Sequence, residues 1–480
     1  MSKTYRRWEP GQSLLFPPSP LEWVPEGHLS RFILDVVAQL DLSALYAYYE
    51  REERGYPPHH PQMMVALLLY AYCVGVPSSR KIEKRCYEDV AFRVITANTQ
   101  PDHTCVSEFR RIHLSTLAQL FVQVLKLCEK AGLVKLGHVA LDGTKMKASA
   151  SKHKAMSYER MKQDQEALTR KVAELLSVAE AVDGVEDSEY GKNRRGDELP
   201  EDLRRAKDRL ARIGQLRAEL EAEARQQAEA ERAAQAEEAQ VQAAMVELRN
   251  VKAAHATDEP SDDDNDEPPP PSPSPEPLPT HQVPTENDGT PTAKAQRNFT
   301  DSDSRIMKSG DGFVQGYNAQ IAVDDAVQII VALGVSNQSP DCEYLVPLLD
   351  RVVENCGAPP QRASADNGYL SESNVGRGES RGIDLYIAPG RIRRGTEGAA
   401  PGVDSDDTSV KARMKAKLTT DEGRAVYARR KVIVEPVFGQ IKNRGFRNFL
   451  LRGLEKVRGE WSLIGLSHNL LKLRAATIAA

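Results

Sequence analysis

Three acids in this 480-residue chain stand where they could do chemistry together. Asp142 lies in GHVALDGTKMKASAS, Gly137 to Ser151, where apolar residues such as Val139 and Leu141 read as a short buried strand. The strand delivers the acid at its end, just before a glycine that frees the backbone to turn. Asp366 ends a second short apolar strand in SADNGYLSE, and Glu435 sits in the Arg- and Lys-rich helical stretch RRKVIVEPVFGQIKNRGFRNF. Open α/β sheets place their chemistry at the C-terminal ends of strands. Three converging carboxylates repel one another unless a hard cation neutralises them, and an all-oxygen ligand set favours Mg²⁺ or Mn²⁺. Two such ions can activate water and stabilise a leaving 3′ oxygen in a phosphodiester displacement. Taken singly, Asp142 and Asp366 read as turn acids. The strand order and a basic helix are what join them into a three-carboxylate metal site working on nucleic acid.

The elements that must position these acids follow a recognisable order. From Gly137 the chain reads strand, large insertion, strand (FVQGYNAQIAVDD), strand (AVQIIVALGVSNQ), helix (YLVPLLDRVVENCG), strand (RASADNGYL), strand (GIDLYIAPG) and then helices. Three antiparallel strands followed by two added through right-handed crossovers make an α/β, ribonuclease H-like fold. In it the first and fourth strands are parallel neighbours about 4.8 Å apart, so acids at both ends face one another. The Glu then comes from a helix packed over the sheet. Pro436 pushes the preceding residue away from helical φ/ψ, which places Glu435 at a helix start or kink.

Four segments are expected: an all-helical N-terminal domain over 1–132, the first catalytic strand over 133–155, an insertion over 156–297, and the rest of the catalytic domain over 298–480. The first opens with a Pro-punctuated arm to about residue 25, then an amphipathic helix with Ser30 as its N-cap. A second helix begins behind Pro61. A third, near Ser78 or Ser79, carries Arg80, Lys81, Lys84 and Arg85, and DHTCVSEFRR reads as a capped turn into a fourth. The basic residues make DNA-end binding the functional alternative to a plain helical bundle. The insertion is rich in helix formers. Its thin apolar line of Leu210, Ile213, Leu216 and Leu220 suits a short coiled-coil seam, either folded back as a hairpin on a helix over Met156 to Ala181 or paired between subunits. The stretch 182–202 supplies the break. Residues 255–297, acidic and Pro-rich, cannot bury enough apolar surface to fold and read as a disordered linker.

The net charge of -5 hides a strong asymmetry. Arg424 to Arg474 holds twelve Lys or Arg against three Glu, so a polyanionic partner is compatible with the acidic total. Six cysteines without C-x-x-C spacing suit reduced core thiols in a cytoplasmic protein, here one associated with the nucleoid. The longest apolar run, Met63 to Val76, falls short of the roughly 20 residues a membrane helix needs, so no membrane partner is expected. His59 and His60 lie between prolines without supporting ligands and read as loop residues. Asp311 and Asp324 read as turn residues, Asp341 as a helix cap or a site acid, and His468 and Asn469 as a packed cap on the catalytic domain.

On these motifs the chain resembles the bacterial insertion-sequence transposases of the DDE class, in the group numbered eleven-eighty-two. LDGTKMKASAS, FVQGYNAQ, SADNGY, VEPVFGQIKNRGFRNFLLRG and WSLIGLSHNLLKL carry the likeness in the catalytic part; VPEGHLSRF, YPPHHPQMMVALLLYAY and SRKIEKR carry it in the N-terminal part. It covers nearly everything outside about 157–295. The resemblance implies Asp142, Asp366 and Glu435 as the metal-binding catalytic triad, two Mg²⁺ or Mn²⁺ ions, DNA ends and target DNA as partners, and a homodimer or higher assembly. Related transposases carry a Tyr, Arg, Glu, Lys signature with Arg four before the Glu and Lys seven after it. Lys442 fits the last spacing, which is two helical turns. Lys431 occupies the Arg position with Arg430 beside it, and Tyr427 lies eight before Glu435. Arg430, Lys431 and Lys442, with Lys145 and Arg444, are the expected DNA contacts. The rival readings are a metal-dependent nuclease that does not join strands and a DNA-binding relic without catalysis.

Overall fold

A computed structural model of the chain describes residues 19–51, 57–190, 201–254, 276–310, 312–390 and 409–479. The helical N-terminal part comprises α1 (Leu29–Val37), α2 (Ser43–Tyr49), α3 (Pro61–Cys73), α4 (Ser79–Glu88), α5 (Val90–Ile95), α6 (His103–Ile112) and α7 (Leu114–Lys130). Every residue of α3 from Met64 to Cys73 is buried, so this helix, apolar on all sides, is the centre of the bundle. The cap of α1 is His28, whose ring nitrogen accepts from the Ser30 amide; Ser30, expected to cap, is itself buried inside the helix. Asp102 caps α6 as expected. Buried Arg110 of α6 donates to the Pro77 carbonyl at 2.7 Å and to Ser79 Oγ at 3.2 Å, tying α6 to the start of α4.

The sheet is built around β1 (His138–Lys147). After β2 (Ala155–Ser157) come α8 (Tyr158–Tyr190) and α9 (Glu201–Ala254), then β3 (Gln296–Asn298), β4 (Arg305–Ser309), β5 (Gly312–Asp324) and β6 (Ile330–Ser336). Helix α10 (Leu345–Cys356), β7 (Arg362–Ala365), α11 (Glu372–Glu379) and β8 (Asp384–Ile387) follow, and α12 (Val410–Thr419), α13 (Asp421–Asn443) and α14 (Leu454–Ala479) end the chain. β1 pairs antiparallel with β5 and parallel with β7; β5 pairs antiparallel with β6, and β7 parallel with β8. From β6 to β8 the order is 6-5-1-7-8, the mixed α/β arrangement expected of a ribonuclease H-like sheet. β4 is an addition, pairing with β5 beside β6. Helix α13 packs on β1, β5, β7 and β8, and α14 packs on β6, α3 and α7, so one continuous core runs from the helical part into the sheet.

Three expectations are corrected. β1 runs five residues beyond Asp142, so Asp142 lies inside the strand, and Gly143 is a strand residue facing Gln320 of β5. What ends near Asp142 is the parallel partner, whose register with β1 stops at Ala140 and Ser364. Second, Pro436 lies inside the continuous helix α13, and Glu435 is a mid-helix residue. The proline cannot donate to the Val432 carbonyl, and Gln328 Nε2 takes that acceptor at 2.9 Å. Third, residues 276–295 are packed rather than disordered. Leu278, Val283 and Ala295 are buried, the His281 amide donates to Asn337 Oδ1 at 2.9 Å, and the Val283 amide donates to Gln227 Oε1 at 2.7 Å. The prolines here pre-extend the chain while these few apolar side chains hold it down. The rest of the acidic stretch, 255–275, lies outside the described residues, as do 1–18 of the N-terminal arm.

In the insertion the hairpin forms: Arg209 pairs with Asp164 at 3.2 Å, Arg217 donates to Gln165 Oε1 at 3.0 Å, and Ile213, Leu216 and Leu220 are buried. Helix α8 continues into the expected break as far as Tyr190, α9 takes up its last two residues from Glu201, and 191–200 between them lie outside the described residues. No helix among the described residues is long and apolar enough to cross a membrane.

Candidate active site and nucleic-acid groove

Alternation along β1 sends Asp142 and Thr144 to one face of the sheet and Gly143 and Lys145 to the other. Asp142 Oδ1 accepts from the Gly143 amide at 2.9 Å. Asp366 follows the last residue of β7 and caps a single 3₁₀ turn over Asn367–Tyr369, its Oδ1 accepting from the Gly368 amide at 2.8 Å. Parallel pairing of β1 with β7 therefore brings the two aspartates to neighbouring strand positions. Burial pushes the Asp142 carboxyl up to about 6; Arg430 pulls against that rise, and the charges of Asp366 and Asp341 add to it.

Helix α13 supplies the third acid and its cation. Arg430 is buried, with Nη1 3.3 Å from Asp142 Oδ2 and Nη2 4.0 Å from Glu435 Oε1. Burial by itself lowers the Arg430 guanidinium, but the charges of Asp142, Tyr427, Asp366 and Glu435 hold it above its ordinary value. Tyr427 lies beside it, 5.9 Å from ring centre to guanidinium carbon, with its hydroxyl pushed up by burial. Although its spacing slips by one residue from the signature, Arg430 is the residue that reaches both acids, because its side chain is long enough to cover the difference. Lys431, one position on, is exposed.

Lys442 donates to Thr144 Oγ1 at 3.0 Å, two positions along β1 from Asp142. Both line a groove of about 880 Å³ with Lys145, Lys147, Lys152 and Arg447, and no acid among the described residues lines it. Sequence reasoning missed Lys147, Lys152 and Arg447; the KMK of β1 and the RNF after α13 were available as signals, but only the tertiary fold brings them together. Arg444 lies elsewhere. Its guanidinium is buried, donates to Ser467 Oγ at 3.0 Å and sits over Phe446 at 5.6 Å, so it joins α13 to α14 instead of facing solvent. Lys145 forms an ion pair with Asp341 at 2.8 Å. Asp341 stands at the N-cap position of the turn that follows it, but its side chain makes no cap hydrogen bond there. As expected, Asn469 is a packing residue, bonded to both the amide and the carbonyl of Ile330 at the start of β6, and His468 bonds the Gln328 carbonyl.

The donor chemistry fits a hard divalent cation at Asp142 and Asp366: two neighbouring carboxylates, one with its charge penalised by burial and by other acids, gain from a cation between them. Glu435, half exposed, stands across Arg430 from Asp142, and among the described residues no three His, Cys, Asp or Glu side chains gather closely enough to hold a metal ion. Arg430 is the cation that neutralises the acids in this arrangement.

Residues 281–470 match the family model described as the Transposase DDE domain, and residues 18–111 match the one described as Transposase domain (DUF772). No curated protein and no solved structure matches the chain. The first match spans Asp366 and Glu435 but not Asp142, which the insertion separates from the other two acids in sequence.

Proposed function

We propose that this chain, which its two family matches support as a transposase of the DDE type acting on DNA, binds the terminal inverted repeats of its own insertion sequence, cuts there and joins the freed 3′ hydroxyls to target DNA. The observation that carries this reading is the placing of Asp142 in β1 and Asp366 just after its parallel neighbour β7, with Thr144, two positions along β1 from Asp142, lining a groove rich in Lys and Arg. Asp142 and Asp366, with Glu435 as the third carboxylate, would hold Mg²⁺ or Mn²⁺, and one or two such ions supply activation of the attacking oxygen and stabilisation of the leaving 3′ oxygen. The chain's own side chains do the rest. Lys442, Lys147, Lys152 and Arg447 bind the phosphates of a strand laid along the groove, contacts that position DNA without reading its bases. The bond from Lys442 to Thr144 fixes the ammonium next to the acids. Arg430 keeps Asp142 ionised against its burial and orients it. Joining two ends requires two sites, so the active form on DNA is a dimer or higher assembly.

Cleavage and strand transfer on a duplex carrying the DNA that flanks this gene, with Mg²⁺ or EDTA, tests the reading. Metal-dependent nicks at the repeat ends followed by joined products are expected for the wild type and neither for Asp142→Ala, Asp366→Ala or Glu435→Ala, each of which still binds the ends. Nicks without joining would make the protein a nuclease, and binding without nicks a relic.

A further inference from the structure

β5 is a core strand, yet two of its fully buried residues, Asn318 and Gln320, are polar. A buried polar side chain needs partners, and these two find them in Asp341. Its Oδ1 accepts from Asn318 Nδ2 at 2.7 Å, from Gln320 Nε2 at 2.8 Å and from Lys145 Nζ at 2.8 Å. Gln320 carries the contact onward in two directions. Its Oε1 accepts from the hydroxyl of Tyr369, a fully buried ring that closes the turn begun by Asp366. Its amide also fills the space a Cβ would need at position 143, directly after Asp142. Asp341 itself lies against the same turn: a Cβ at Gly368 would stand 3.5 Å from Asp341 Cβ and 3.7 Å from its Oδ2. One carboxylate thus reaches, directly or through one glutamine, the residues that flank both Asp142 and Asp366.

We propose that Asp341 is the positioning residue of the two-aspartate site: with Gln320 it fixes the separation of the Asp142 and Asp366 carboxylates, and it holds the Lys145 ammonium on the other face of β1. The inference rests on the reading of Asp142 and Asp366 as the metal-holding pair. Asp341 acts through its neighbours: the three donors all fall on its Oδ1, whose contacts run to Asn318, Gln320 and Lys145. Without it, Gln320 and Asn318 lose the acceptor that orients their amides, and the Lys145 ammonium loses its counterion.

The test is isothermal titration of the full chain with Mn²⁺ in the absence of DNA, comparing wild type with Asp341→Ala, Asp341→Asn and Tyr369→Phe. Loss of an outer contact of this kind weakens metal binding by about 10- to 100-fold, which is the expectation for Asp341→Ala. Asp341→Asn keeps an oxygen for the same three donors and loses less. Tyr369→Phe, which removes only a hydroxyl, shifts affinity in the same direction and guards against misfolding of the alanine variant. In cleavage assays the KM for DNA stays at its wild-type value, and excess Mn²⁺ restores part of kcat. Wild-type Mn²⁺ affinity in Asp341→Ala would overturn the inference alone. Complete loss of binding in both Asp341 variants would also overturn it, by making Asp341 a ligand. A wild-type chain that binds no Mn²⁺ would instead remove the proposed metal site and this inference with it.

Discussion

Asp142→Asn should stabilise the metal-free protein while abolishing cleavage. The Asp142 side chain is 19% exposed, so its raised pKa reflects a real cost of burying charge. Moving the carboxyl from 3.8 to about 6 on folding costs about 3 kcal/mol, and this is net of the help from Arg430. The sign follows from which state holds the proton more tightly. The folded chain does, so the cost is fully present above about pH 6, falls as pH drops between about 6 and 4, and vanishes once the unfolded carboxyl is protonated too. Asparagine carries no charge at any pH. The variant should therefore exceed the wild type by about 3 kcal/mol in urea melts at pH 8 with EDTA, and by progressively less down to pH 4. Adding Mg²⁺ at ten times its Kd should return about 1.4 kcal/mol to the wild type and nothing to the variant. A variant no more stable than wild type at pH 8, or a gain that does not shrink on acidification, would refute the claim that this acid is held ionised against its surroundings.

Two further perturbations separate structure from binding. Gln328→Ala should cost about 1 kcal/mol in urea melts of the wild type and much less in a Pro436→Ala background, where residue 436 regains the N–H that serves the Val432 carbonyl; equal costs in both backgrounds would disprove the substitution of side chain for backbone. Lys442→Ala, Lys152→Ala and Arg447→Ala should each weaken DNA binding about equally across sequences and lower the salt slope by about 1, whereas Lys431→Ala leaves the slope alone. Fluorescence anisotropy over a salt series reads this, and unchanged slopes in all three groove variants would move the DNA elsewhere.

The order 6-5-1-7-8 was legible because each of those strands announces itself locally, by alternation or by an apolar run between turn residues, whereas β4 was not foreseen. Asp142 and Asp366 were legible for the same reason: an acid after apolar strand residues is visible in a window of ten. What escaped depends on distant partners. Gly143 read as a turn because nothing local says that Gln320, far along the chain, needs the room of its missing Cβ. Pro436 read as a break because the residue that satisfies the freed carbonyl comes from the β5–β6 connection. Residues 276–295 read as disordered on composition, and composition does not register that a few buried side chains such as Leu278 and Val283, with backbone bonds to Asn337 and Gln227, can pin an extended, proline-stiffened segment. Arg444 read as a DNA contact from its basic neighbourhood, although burial turns it inward. The groove was half legible: Lys145 and Lys442 stood out, while Lys147, Lys152 and Arg447 acquire meaning only when β1, the stretch after it and the end of α13 come to one place.

The insertion falls between the first acid and the other two, so the site exists only if the chain returns to the sheet in register. The short β2–β3 ribbon closes that excursion: Met156 pairs with Arg297, and Ala155 with Asn298. Buried Arg297 then bonds Glu223 of α9, and buried Arg305, at the start of β4, stands 3.8 Å from the same carboxylate. Glu223 is therefore shared between the returning helix and the strand that re-enters the sheet. Closing a long loop costs little more than closing a medium one, since the cost grows only with the logarithm of length. An excursion spanning 158–295 is thus tolerable provided its two ends are fastened to each other, and β2, β3 and Glu223 do the fastening. The active site depends on the base of the insertion, through which β5 is delivered to β1, and not on how far its helices extend.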